Sequence, residues 1–526
     1  MTERDRRARR WWSTALGLLV VWSAWRATTG RDVFNPGGWP SFAEFWRAAL
    51  HPDLDPAFLR LTAEATAVTA AYALLGTIVS VAIGLVGGLA VAERPWESVS
   101  TTAAGRWFRQ AVRRIVRLAF VVPRAVHEVI WALLLVQVLG FDPWVAIIAI
   151  GIQFGAVTAK VYGELIDDAD PAAYRALRTS GAGRLVSVTY GIAPLVRADL
   201  VSYGFYRLEC AVRSAAVLGI VGAGGLGFQL DLSFESLRYD EIWTLIAALM
   251  ILSGAADWWS SHVRHPSSPA IIRRSWVAIA IAVPLAWWYL GLELSSLWSE
   301  RTRRLAVELI DDLFPPRLGP GGWSELAQAT VDTLAMSVLA TLMATIGGLV
   351  LAVVAVRPYR PDAPLGQRAV AWSVRAVLLL FRAVPAPVWA FLVVLVMFPG
   401  IWPGAVALAV YNTGVLGRLF TEVLEDHDDR ARRHLDAAGA TAGGQLLYAV
   451  LPVTATRLIG LALYRWEVIT RETVIVGVVG AAGLGRLLQE HLVARDYSAV
   501  LGAIGALLVL TVMIDALSTR LRRMFD

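Results

Sequence analysis

The sequence predicts an all-α, polytopic membrane protein of about twelve transmembrane helices, built as two parallel six-helix repeats. Three observations predict it. Of 526 residues, 57% are apolar and 22 are Trp, and the mean hydropathy is +0.57, which is the composition of a membrane chain. Apolar stretches of about 20 residues, enough for one span each, recur roughly a dozen times. The chain is also written twice. Tyr206-Arg207-Leu208-Glu209, Arg213 and Gly222-Ala-Gly-Gly-Leu-Gly227 return 258 positions later as Tyr464-Arg465-Trp466-Glu467, Arg471 and Gly480-Ala-Ala-Gly-Leu-Gly485. That register holds without a gap from Arg124 to Gly227 and from Arg382 to Gly485. An even number of spans in each half makes both halves face the same way, with a pathway expected between them.

The elements follow in order. Met1 to Arg10 carries five arginines ahead of the apolar run Trp11 to Trp25. Trp25 and Arg26 stand where a signal peptidase needs small residues, so the run is an uncleaved first span with a cytoplasmic N-terminus. Residues 27–62 form an outside segment, Thr66 to Ala92 returns, and Arg94, Arg106, Arg109, Arg113, Arg114 and Arg117 fill a cytoplasmic loop. Ile115 to Gly140 goes out, Phe141-Asp-Pro reverses it, and Trp144 to Ile166 comes back. Asp167 to Tyr190 is polar, Ile192 to Ile220 runs outward to the glycine hairpin, and Ile242 to Trp259 completes six spans. A linker at 263–274 separates the first repeat, 1–262, from the second, 275–526. The second repeats the plan with Trp276 to Leu292, Thr330 to Val356, Ala376 to Met397, Trp402 to Leu424, Pro452 to Val479 and Ala499 to Leu517. Its cytoplasmic loop holds Arg357, Arg360, Arg368 and Arg375, and the tail Arg520-Leu-Arg-Arg523 is basic and inside, so both termini are cytoplasmic.

Composition removes several functions. The formal charge is +6, yet Lys160 is the only lysine, and Gly155-Ala-Val-Thr-Ala-Lys160 lacks the P-loop pattern, so no standard ATPase site is present. The lone Cys210 and seven histidines without ligand spacing give no metal site. No paired catalytic carboxylates and no nucleophile with a base are found, so no catalytic residues are assigned. Gly222 to Gly227 spells G-x-G-x-x-G, but it follows a membrane span rather than a strand, and Ala482 breaks the pattern in the second copy. Those glycines instead permit a tight outer hairpin and close helix approach.

The charges buried in the apolar segments remain, and ionisable groups at that depth are functional candidates by default. Glu209 with Arg213, and Glu467 with Arg471, are spaced i,i+4 and meet on one helix face. Arg207 and Arg465 have no acid three or four positions away, and Glu472 faces no counterpart acid in the first half, where Ser214 stands. Tyr206 and Tyr464 flank the two arginines. Each half also carries a polar segment, at about 170–190 and 428–448, with Gly181 thirteen residues before Pro194 and Gly439 thirteen before Pro452. A polar helix, a glycine turn and a short second helix ahead of a span make a protruding docking element.

That segment resembles the coupling motif of ABC importer permeases. Together with Arg-Ala-x-x-Glu128-x-x-Trp131-Ala, Tyr-Arg-x-Glu-x-x-x-Arg and Gly-Ala-Gly-Gly-Leu-Gly, the chain resembles the permeases of phosphonate-type importers over about residues 60 to 260 and 325 to 520. The resemblance implies the binding-protein-dependent importer permease fold, two permease copies fused, and a bacterial inner-membrane location. It implies an ABC ATPase homodimer that carries the ATP and Mg, while this chain carries no cofactor. The dimer would dock at Arg175, Ala176, Leu177 and Gly181, and at Arg433, His434, Leu435 and Gly439. A periplasmic or lipid-anchored binding protein would dock at the outer hairpins Gly222, Gly224, Gly225, Gly227, Gly480, Gly483 and Gly485. No nucleic-acid partner is implied. The cargo would be a phosphorus oxyanion passing Arg207, Arg465, Arg213 and Arg471. Arg175 and Arg433 replace the motif's glutamate, and Pro-Glu of the third span is His127-Glu128 in one half and Pro385-Ala386 in the other. An ion-coupled secondary transporter, with Glu209, Glu467 and Glu472 carrying protons, is the alternative from another class.

Overall fold

The computed structural model describes residues 3–29, 32–96, 103–264, 269–356 and 364–525. It is helical throughout, with one isolated antiparallel bridge, Phe34 to Met397, among the described residues. Arg357 and Arg360 of the expected cytoplasmic loop lie outside them.

Seven helices among the described residues are long and apolar enough to cross a membrane, and ten spans result if each of three sharply bent helix pairs counts as one. Helix Glu3–Thr28, with Arg26 in its last turn, and helix Ile401–Glu425, which carries Asn412 and Arg418, lie outside that count. Two of the bends break expected straight spans, Ile115 to Gly140 and Ala376 to Met397. Gln110–Ala125 meets Glu128–Leu139 at 87°, because His127 accepts a hydrogen bond from the Val129 amide and starts a new helix. Leu365–Ala383 meets Ala386–Val396 at 94°, with Pro385 and Pro387 at the new start. The charged first-half segment is preceded by Arg184–Gly191, bent 70° from it ahead of Pro194. The expected linker is also largely helical: residues 263–264 end helix Tyr239–Arg264 and 269–274 begin helix Pro269–Tyr289, while 265–268 are outside the described residues.

The chain divides into two compact units that are not the two sequence halves. The first unit is Ala48–Asp311. In it, helices Pro56–Val91 and Trp144–Asp168 pack along their length on small residues, and a Cβ at Gly84 would come within 2.3 Å of the Thr158 methyl. Helix Pro269–Tyr289 belongs here: Trp287 packs edge-on to Trp144 at 5.3 Å, and Trp259 Nε1 donates to Ser275 Oγ at 2.9 Å. The second unit joins Met1–Arg47 to Asp312–Asp526. Arg26 pairs with Asp332 at 3.0 Å, and the Asn35 amide donates to the Val396 carbonyl at 2.9 Å. Each repeat's leading span therefore packs with the other repeat's body.

Candidate functional site

In the first unit, helix Ala193–Leu218 carries the charged segment. Burial of Arg207 is nearly complete, at 8% exposure. Its Nη2 donates to the Tyr203 hydroxyl, and its guanidinium carbon lies 5.2 Å from the Phe154 ring, 4.8 Å from Tyr203 and 5.6 Å from Tyr206. Its Nε has no hydrogen-bond partner, and among the described residues no carboxylate pairs with it. Three aromatic faces thus hold a buried cation, an arrangement worth about 2 kcal/mol or more when desolvated. Glu209 sits 3.6 Å from Arg213, as the i,i+4 spacing predicts, and also 3.9 Å from Arg264 of helix Tyr239–Arg264. The first-half acid Glu128 takes a 2.6 Å hydrogen bond from Ser214, two helical turns from Arg207, and stands 3.1 Å from His127.

In the second unit, helix Leu451–Val478 carries the corresponding residues in a different arrangement. Arg465 donates through Nε to the Asn412 side-chain oxygen and through Nη2 to Glu472 Oε1 at 2.7 Å. Asn412 Nδ2 closes the triangle on Glu472 Oε2 at 2.9 Å. Tyr411 places its ring 5.9 Å from the Arg465 guanidinium carbon. Arg471 pairs with Glu467 at 3.2 Å, and Tyr464 receives Arg522 over its ring at 5.9 Å. Spacing alone had left Arg465 without an acid, since seven residues separate it from Glu472; two helical turns put them on one face. Asn412 was not foreseen. The signal was present, because the register of 258 sets Asn412 against Phe154 and Glu472 against Ser214. The two substitutions together turn an aromatic cradle into a neutralised triad.

The first helix of each polar segment closes in the same way. Helices Ala172–Thr179 and Arg430–Ala437 each end on a left-handed glycine, Gly181 at φ 91° and Gly439 at φ 79°. Ala182 donates to the Leu177 carbonyl at 3.0 Å and Ala440 to Leu435 at 3.0 Å, the six-to-one bond that closes a helix at a glycine. Tyr174 is buried and its hydroxyl donates to the Arg94 carbonyl at 2.8 Å, which leaves Arg175 and Ala176 exposed, with Leu177 half-buried. Arg433 and His434 are exposed in the second copy, where Gln445 Nε2 ties the segment to Asp436 at 2.9 Å; Leu435 is half-buried.

The glycine hairpins share left-handed glycines and a threonine cap but differ at Gly224, whose counterpart is Ala482. Gly222, Gly224, Gly225, Gly480 and Gly483 all have positive φ. Beyond the turn, the Leu226 amide donates to Thr69 Oγ1 at 2.9 Å and the Leu484 amide to Thr333 Oγ1 at 2.8 Å, so a threonine of the long neighbouring helix caps each returning helix. Gly227 and Gly485 let that helix run against the charged helix; a Cβ on Gly227 would meet the Ala216 carbonyl oxygen at 1.8 Å.

Comparisons with known proteins agree with the duplication. The family described as binding-protein-dependent transport system inner membrane component matches residues 84–263 and again 365–526. A phosphate-import permease of Mycolicibacterium smegmatis is 25% identical over 78% of this chain and 78% of its own. A phosphite transport system permease of Stutzerimonas stutzeri is 34% identical over 47% of this chain and 88% of its own. Among solved structures, an inward-facing MetNI methionine ABC transporter chain is 20% identical, with 40% of this chain and all of that one covered, at a TM-score of 0.36.

Proposed function

Because the chain belongs to the family of binding-protein-dependent transport system inner membrane components, we propose that it is the fused permease of an ATP-driven importer for a small phosphorus oxyanion. The cargo class is that of the relatives, phosphate and phosphite. The family sets aside the ion-coupled secondary transporter, and the multi-pass helical fold places the chain in a membrane. The bacterial inner membrane, with both termini cytoplasmic, is the location that the arginine distribution supports. Energy comes from a separate ABC ATPase homodimer that binds the ATP and Mg. It docks on Arg175 to Gly181 and Arg433 to Gly439, whose matching helix-to-glycine geometry supports a common partner. A binding protein delivers cargo at the outer glycine hairpins.

The observation that carries the cargo assignment is Arg207, a buried cation held by aromatic faces with no paired carboxylate among the described residues. A guanidinium fork matches the oxygens of phosphate-type anions. Arg465 would meet an anion more weakly, because Glu472 already occupies it; unneutralised arginines alone would hold an anion too tightly for release. Uptake of labelled phosphate and phosphite by the complex in proteoliposomes, with ATPase rate read in parallel, tests this. Arg207→Ala is expected to lose most uptake while keeping ATPase assembly. Parental transport by that variant would place the pathway elsewhere, and loss of assembly would make the arginine structural.

A further inference from the structure

The first unit holds a second cationic site, away from Arg207. A cavity of about 260 Å³ opens where helix Ala103–Ala125 crosses helix Trp144–Asp168, beside the last residue of helix Pro56–Val91. Arg117, Arg124 and Lys160 line it with a single carboxylate, Glu164, and with Val91 and Phe120 as apolar wall. Lys160 and Phe154, which stacks on Arg207, are six residues apart on one helix, about 9 Å along its axis.

The sequence writes this cluster twice. At the offset of 258, Arg117, Arg124, Lys160 and Glu164 become Arg375, Arg382, Arg418 and Glu422. In the second unit carboxylates close on the cations: Arg418 Nε stands 2.9 Å from Glu422, and Arg375 bonds the Glu425 carboxylate. In the first unit they stand back from Lys160 and Arg117. Lys160 Nζ is 3.9 Å from Glu164, and Arg117 is 3.6 Å from Glu93, which is held more closely by Arg113 at 2.7 Å. The counterpart of Glu425 is Asp167, and its carboxylate is occupied by the Glu93 amide at 2.7 Å and the Arg94 amide at 3.1 Å. Asp167 keeps its charge near Arg117, but it is turned to the backbone amides and makes no direct ion pair with Arg117 among the described residues. The cavity keeps an excess of positive charge beside apolar walls, where each charge acts more strongly than in open water.

We infer that this cavity binds a phosphate group, carried either by free inorganic phosphate or a small phosphate ester, or by the headgroup of an anionic phospholipid. Two guanidinium forks and one ammonium suit a tetrahedral oxyanion that arrives with two charges. The bound group would tie helix Ala103–Ala125 to helix Trp144–Asp168. The second of these leads within four residues into helix Ala172–Thr179, so occupancy acts on the segment that meets the partner ATPase.

The test uses the full-length chain in lipid nanodiscs and reads the thermal unfolding midpoint. In pure phosphatidylcholine, inorganic phosphate is expected to raise the midpoint saturably, beyond chloride at equal ionic strength, if the ligand is free phosphate. If the ligand is a lipid headgroup, discs with one fifth phosphatidic acid are expected to show the rise without added phosphate. Lys160→Gln should weaken the half-saturating concentration at least tenfold, as should Arg124→Gln if it folds, whereas Lys160→Arg should retain it. Arg207→Ala should keep the response, which separates this site from the cargo site, and the exposed Arg60→Gln serves as the surface control. No rise in either membrane, or an undiminished response in Lys160→Gln, overturns the assignment.

Discussion

Arg207 and Arg465 occupy the same position in a duplicated helix and differ in what faces them. Removing one partner of a buried ion pair leaves the other charge uncompensated, at a cost of about 3–5 kcal/mol. Glu472→Gln is therefore expected to lower stability by that order and to free Arg465 for anions, while Arg207→Ala, which abandons only aromatic contacts and the Tyr203 hydroxyl, should cost about 2 kcal/mol. Thermal unfolding in detergent compares them; equal losses would show that Arg207 has a counter-ion in solution. The sequence singled out these arginines and Glu472 because charge in an apolar segment is conspicuous. It did not single out Asn412 or Tyr203, since a polar uncharged or aromatic residue in a span is ordinary until its neighbour across the helix interface is known.

At the level of elements, the two polar helices repeat their closing backbone hydrogen bonds, Ala182 to Leu177 and Ala440 to Leu435. Gly181 and Gly439 sit at positive φ with no atom near enough to obstruct a Cβ, so Ala at either is penalised only by backbone conformation, about 1 kcal/mol. Ala176→Pro and Leu435→Pro break the helices at about 3 kcal/mol and are expected to abolish capture of the ATPase in a pull-down; normal assembly and transport would refute the docking role. Swapping Arg175 and Arg433 to Glu should weaken coupling if the partner surface is acidic, and unchanged coupling would remove that expectation. Asp429, ahead of the second polar helix, is held below the ordinary carboxylate value by the hydrogen bond from Arg432 at 2.6 Å, with nearby Arg432, His427 and Arg433 charges adding to it and burial opposing. A depressed carboxylate stabilises above its ordinary value of 3.8 and loses that contribution as pH falls through the lower folded value. The effect is small because Asp429 is 36% exposed. Hydrogen exchange of residues 430–437 should show protection falling below pH about 4 relative to Asp429→Asn, and identical profiles would exclude it. Sequence spacing found these elements through glycine and proline; it missed the sharp bends at His127 and Pro385, because an apolar run reads as continuous whether or not a cap interrupts it.

Across the whole molecule, the chain enters one compact unit with residues 1–47, leaves it for Ala48–Asp311, and returns at Asp312. Each repeat lends its leading span to the other. An apolar cavity of about 440 Å³ in the second unit, lined by Leu16, Leu19 and Val20 with Val338, Leu458 and Trp466, marks where helix Glu3–Thr28 lies against its host. Fragments 1–264 and 269–526, expressed together, are therefore expected to co-purify from membranes, and deletion of residues 1–47 should destabilise the second unit more than the first. Fragments that separate freely would contradict the exchange.

The sequence by itself determined the helical membrane class, the duplication, the register of 258 and the positions of the charges, because apolar length, repetition and ionisable residues are local properties of a chain. It also brought out the resemblance that the family match bears out. Only the tertiary structure decided which charges are neutralised, where spans break, and to which body each leading span belongs. Those outcomes depend on partners hundreds of residues apart, such as Arg26 with Asp332, or on a single substitution in a facing helix, such as Asn412 in place of Phe154. A repeated sequence reports none of this, since identical segments acquire different neighbours once the chain has folded.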